Sequence, residues 1–255
     1  MKLKSPAVAL LSLALAAPLA LLARADGQPL PGTAGPTADQ ATTSKLVYGL
    51  LSDSRYAYRP RALDDDLSRD VFKRYLESLD GNKQYFTAAD IEKFRPYETR
   101  LDDAIRSGEL EPAYDIFAVY RQRVGERVAY ARALLKQDFD FSGDQRWEYD
   151  REKSPWAASS QELDQVWKKS VMNDWLRLRL AGKKQDEIRK TLDKRYATYQ
   201  RSVNELKSED VFQTFLNGYR TPITSPPRPR RTSTRPCRCR WKASARSCSA
   251  RTTWW

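Results

Sequence analysis

The apolar residues Leu67, Val71, Phe72, Tyr75, Leu76 and Leu79 fall at i, i+4, i+5, i+8, i+9 and i+12. That spacing winds onto one face of a helix and does not fit a half-buried strand, whose apolar positions alternate. The same period continues down the chain. Thr87, with Asp90 three residues on, reads as a capping box for a further helix, which meets Pro96, is kinked or split there, and ends near Gly108. Pro112 suits the first turn of a long helix through Tyr114, Phe117, Val128 and Leu135. Ser159 and Glu162 make a second capping-box pattern before Leu163, Val166, Trp167, Val171, Trp175 and Leu178, with Gly182 as the stop. Ile188, Leu192, Tyr196, Tyr199 and Val203 give another face, and Ser208 is placed to cap a last helix through Val211, Phe212 and Phe215. One loop-rich interruption runs from roughly Asp138 to Ser159. The expected fold is therefore all-α, an irregular multi-helix domain over residues 41–219, long enough to bury a proper core.

The two ends differ from this body. Lys2 and Lys4 precede an apolar run from Ala7 to Leu22, followed by Ala23-Arg24-Ala25. A charged start, a short apolar stretch and a small-residue exit describe a secretory signal peptide over 1–25, and the run is short for a membrane span, which needs about 20 apolar residues. Cleavage before Asp26, a periplasmic location and no stable membrane span after cleavage are the expectations, with an uncleaved membrane anchor as the competing reading. Residues 26–40 are rich in Gly, Pro and Thr and read as a flexible linker. Residues 220–255 carry nine Arg, one Lys and no acid. The net charge of +12 thus belongs to the ends, while the body between them is close to neutral. A nucleic-acid argument from overall charge would rest on the tail alone, and no nucleic-acid partner is expected.

The chain has no His, which removes Ser-His-Asp and Cys-His catalysis and His metal sites. Its three Cys, Cys237, Cys239 and Cys248, all lie in the tail. Asp138-x-Asp140-x-Ser142-Gly143 matches the first half of a calcium loop, but the twelfth place is Tyr149 rather than an acid, and Phe139 and Phe141 suit a packed loop better. Asp64-Asp65-Asp66 reads as a helix start favoured by the dipole rather than a cation site. Trp147, Trp156, Trp167 and Trp175, with Tyr114, Tyr120 and Tyr130, could line a ligand groove, though aromatic residues at helical spacing more often form core. No catalytic, cofactor-binding or metal-binding residue is assigned, and no cofactor is expected.

Several short stretches carry a family likeness. Tyr56-Ala57-Tyr58, Asp64-Asp65 and Phe72-Lys73-Arg74-Tyr75-Leu76-Glu77-Ser78-Leu79-Asp80 come first. Arg106-Ser107-Gly108, Asp115-Ile116-Phe117, Asp140-Phe141-Ser142-Gly143, Asp150-Arg151 and Pro155-Trp156 follow in order. The series ends in Ser208-Glu209-Asp210-Val211-Phe212 and Phe215-Leu216-Asn217. Over about residues 45–219 the chain resembles the opening of tail-specific proteases, exported bacterial carboxy-terminal-processing peptidases. The resemblance implies the helical N-terminal domain of that family, with protein substrates or a protein adaptor as partners. In the family a PDZ domain and a protease domain with a Ser-Lys dyad follow, but no residue here matches the catalytic motif.

The tail fits an out-of-frame reading of a GC-rich gene. Joining the third base of each codon to the first two of the next from Pro236 onward, Trp241-Lys242 forces Glu and Trp254-Trp255 forces Val. The remaining pairs permit Met-Ser-Leu-Ser-Leu-Glu-Gly-Ile-Gly-Ala-Val-Leu-Gln, which is similar to the family's entry into its PDZ region. The expectation is a disordered, frameshifted tail on a truncated, non-catalytic helical domain. Two other readings stand beside it: a stand-alone exported helical adaptor that binds proteins, and a binder of nucleic acid or anionic surfaces through the Arg-rich arm with Trp241 stacking.

Overall fold

The computed structural model describes residues 35–53, 55 and 62–224. Among the described residues there are eight α-helices: α1 Ala38–Ser52, α2 Asp65–Asp80, α3 Ala88–Phe94, α4 Leu101–Ser107, α5 Glu111–Leu134, α6 Ser160–Leu180, α7 Gln185–Asn204 and α8 Ser208–Thr224, with a short 3-10 turn at Arg95–Tyr97. No strand is present among the described residues; a single bridge pairs Thr87 with Ala157. The all-α expectation is met, and α2 buries the predicted face of Leu67, Val71, Phe72, Tyr75 and Leu76. The predicted signal peptide, residues 26–34 of the linker and residues 225–255 of the tail lie outside the described residues.

Local chemistry sets the helix ends. Thr87 and Asp90 exchange both capping-box bonds at the start of α3. Pro96 then splits that helix, giving the 3-10 turn and a separate α4 that ends at Gly108, whose φ of +82° is the left-handed conformation open to glycine. Pro112 stands in the first turn of α5. Two expected caps are realised differently. The Ser159 hydroxyl accepts from the Glu162 N–H, but the Glu162 carboxylate accepts from Ala158 rather than completing the box on Ser159. Ser208 does not cap α8 from outside; it stands in the first turn, and Asp210 accepts from the Lys207 N–H. The Ser208 hydroxyl is drawn inward instead, toward Gly35, Gln40 and Tyr114.

α1 begins at Ala38, so three residues of the segment read as linker are helical, and Thr37 with Gln40 forms its capping box. At the other end, α8 continues to Thr224, past the expected boundary at 219. α5 is the central element and packs against α6, α7 and α8; α2 lies along α8, and α1 covers α4. One core joins residues from Leu67 to Tyr219. Between α5 and α6 the chain has no helix, matching the expected interruption.

Candidate functional site

Buried hydroxyls and carboxylates do most of the polar work, and they hold helices together. Tyr75 donates to the Ala113 carbonyl at 2.9 Å, joining α2 to α5, and Tyr219 donates to the Leu101 carbonyl, joining α8 to α4. Tyr114 donates to Gln40 at 2.7 Å and lies 2.9 Å from the Ser208 hydroxyl, so α1, α5 and α8 meet at one polar node. The Tyr120 and Tyr199 hydroxyls are 2.9 Å apart across α5 and α7, and Trp167 of α6 donates to the Gln84 carbonyl at 2.7 Å.

The turn after α2 is organised by Asp80. Its buried carboxylate accepts from the N–H groups of Gln84, Tyr85 and Phe86 at 2.7–2.9 Å. Burial pushes its pKa up, against the pull of those three donors and of Arg151. In the same turn Lys83 takes a φ of 51°, uncommon outside glycine. Its ammonium donates to the Ser154 carbonyl and sits 5.3 Å from the Trp156 ring, fixing the end of the long α5–α6 connection.

An open groove of about 660 Å³ lies between the 3-10 turn, α4 and the start of α5. Asp103, Glu109, Glu111 and Asp115 face Arg100 and Arg106 there. Tyr97 donates to Asp115 at 2.7 Å, and burial together with that carboxylate pushes its pKa up to about 12. The groove is polar and carries no activated nucleophile. Among the described residues no hydrogen bond joins a Ser hydroxyl to a Lys amine; Ser44, Ser52, Ser78 and Ser202 all donate to nearby backbone carbonyls.

The sequence candidates take up these places. Asp138 accepts from Gln185 and Arg189, each at 2.7 Å, and is not free for a cation. Asp140 accepts from the Ser142 N–H in a local turn, while Phe139 packs 5.2 Å from Trp175. Phe139 and Phe141 both pack against the core, as a packed loop requires. Asp64 caps α2, with Asp65 and Asp66 in the first turn. Trp167, Trp175, Tyr114 and Tyr120 are buried core; Trp156 and Tyr130 pack against it, and Trp147 stands outside it. What sequence reasoning missed is the polar node of Gln40, Tyr114 and Ser208. The only hint was the Thr37–Gln40 capping pattern, which sat in a stretch read as linker.

Most described stretches that carry the family likeness thus set turns, caps and packing. A family model described as "Tail specific protease N-terminal domain" matches residues 50–222. The tail-specific protease of Haemophilus influenzae is 37% identical over 163 residues, covering 64% of this chain and 24% of that protein. The chain therefore spans about a quarter of the length of that curated relative. A match over this much of the chain places it in the family: it belongs with the tail-specific protease N-terminal domains.

Proposed function

We propose that residues 41–219 are the non-catalytic helical part of an exported, periplasmic tail-specific serine protease, and that this 255-residue chain hydrolyses no peptide bond. The observation that carries the reading is the family match over 50–222, a region in which the buried hydroxyls of Tyr75, Tyr114 and Tyr219 hold helices together. Peptide hydrolysis needs an activated nucleophile and a site for the developing oxyanion. The chain has no His, and nothing in its 255 residues matches the family's Ser-Lys motif. A signal peptide over 1–25 would deliver the domain to the periplasm. Its partners are protein segments, either substrates or an adaptor, and the groove lined by Arg100, Arg106 and Asp115 offers them charges of both signs. Residues 220–255 are read as out-of-frame, on the codon compatibility that begins at Pro236.

Purified chain incubated with an unfolded protein bearing an apolar C-terminus should leave it intact. Restoring the reading frame after residue 219 should bring cleavage. Proteolysis by the 255-residue chain that survives repurification would defeat the proposal, as would a downstream nucleotide sequence that encodes no PDZ-protease frame.

A further inference from the structure

The turn between α6 and α7 is exposed at every residue from 179 to 187. Arg177, Arg179, Lys183 and Lys184 lie within or beside it, and no acid occurs between 177 and 184. None of the four pairs with a carboxylate among the described residues, whereas Arg189 and Arg195 on α7 reach Asp138 and Asp174. The whole hairpin shares the bias, with eleven bases against six acids over 160–204.

Helix physics accounts for part of this. Arg177 and Arg179 stand in the last turn of α6, where the dipole favours cations. Lys183 and Lys184 have no such reason. Lys184 occupies the N-cap of α7 without a capping bond, at the end where the dipole disfavours a cation. The nearest acids, Asp186 and Glu187, are in the first turn of α7, where that dipole favours them. Leu180, at the end of α6, is 78% exposed, more than any other large apolar side chain described. The fold itself uses neither the leucine nor the two lysines.

We propose that this turn docks on an anionic phospholipid surface, with Leu180 entering the interface and Arg177, Arg179, Lys183 and Lys184 at the level of the phosphates. The shape favours a bilayer over a small anion, which needs a concavity: the turn is convex and exposed throughout, and the grooves around 97–115 and around 77–82 with 150–152 do not include it. Residues 177–187 contain no aromatic side chain to stack on a nucleic-acid base. No helix among the described residues is long and apolar enough to cross a membrane.

The test is co-sedimentation of the full chain with vesicles of phosphatidylglycerol and phosphatidylethanolamine, and with phosphatidylcholine vesicles for comparison. Each base near an anionic surface is worth about fivefold in partitioning, so Lys183→Glu/Lys184→Glu should lower it at least about tenfold. Lys93→Glu/Lys136→Glu makes the same charge change at exposed sites elsewhere and should stay within about twofold. Leu180→Ser should cost about threefold. Circular dichroism verifies that the exposed substitutions keep the fold. Equal losses in the two double variants, or no loss in either, would place the contact in another segment and overturn the proposal. A Leu180→Ser variant that binds as the parent does would also overturn it, because Leu180 would then not enter the interface.

Discussion

Asp90 and Asp102 are both buried carboxylates, and their surroundings drive them in opposite directions. Burial opposes ionisation of Asp90, but Arg123 at 2.7 Å and both Thr87 donors outweigh it and hold its pKa below the usual range. Its stabilising effect is therefore complete above the ordinary carboxylate pKa and fades as pH falls through the lower folded value. Arg123→Ala would leave that carboxylate buried without its cation and should cost about 2–4 kcal/mol, measured by urea unfolding at neutral pH. Asp102 has one oxygen with no hydrogen-bond partner, and burial pushes its pKa up. A raised carboxyl pKa favours the folded state at low pH, and that contribution is lost as pH rises through the folded value. Asp102→Asn should accordingly gain stability over the parent as pH rises toward neutrality and lose the advantage near the ordinary Asp range. Melting curves across that interval decide it: a constant difference would mean that the charge of Asp102 costs the fold nothing.

α6 shows how one side chain can secure an element and the connection before it. Trp175 is 4% exposed, with Phe139 packed edge-on at 5.2 Å and the Arg189 guanidinium 5.6 Å from its ring. Trp175→Ala should cost about 3–5 kcal/mol in a denaturant titration. It should also make residues 136–159 the first site of proteolysis, because Phe139 loses its platform. The helices with strong one-sided patterns, such as α2 and α7, could be read from spacing alone, since their apolar residues repeat with the helical period. α1 was not legible in that way. Its fully buried residues, Gln40 and Ser44, are polar, and the apolar Val47, Tyr48 and Leu51 that pack on the core alternate with the outward-facing Leu46 and Leu50, so its pattern gives no clean apolar face. Ser208 misled for a related reason: its hydroxyl has a tertiary use at the Tyr114 node that no local rule anticipates. The polar joints between helices were invisible for the same cause, being pairs such as Tyr219 with Leu101 that lie 118 residues apart.

Across the whole molecule the two ends of the domain are tied to one another. Gln40 accepts from Tyr114 and donates to Glu209 at 3.2 Å, so α1 closes against α8 through side chains 169 residues apart. α1 also lies over α4 at its closest approach, where a Cβ at Gly108 would stand 3.0 Å from the Ala41 carbonyl. The core runs from Leu67 to Tyr219, with Val47, Tyr48 and Leu51 of α1 packed against it. These contacts predict where the chain can be cut. A protein trimmed to residues 35–224 should keep the helical signal and melt within a few degrees of the full chain, because it retains every residue of that core. Trimming through Ser52 should do much more damage. It uncovers α4 and leaves the Tyr114 and Ser208 hydroxyls without Gln40, and each buried polar group deprived of its partner costs about 1–3 kcal/mol. Thermal melts of the two truncations are the measurement. If removing α1 proved as harmless as trimming to 35–224, the domain would begin with α2, and the polar node would be an ornament on a core that closes without it.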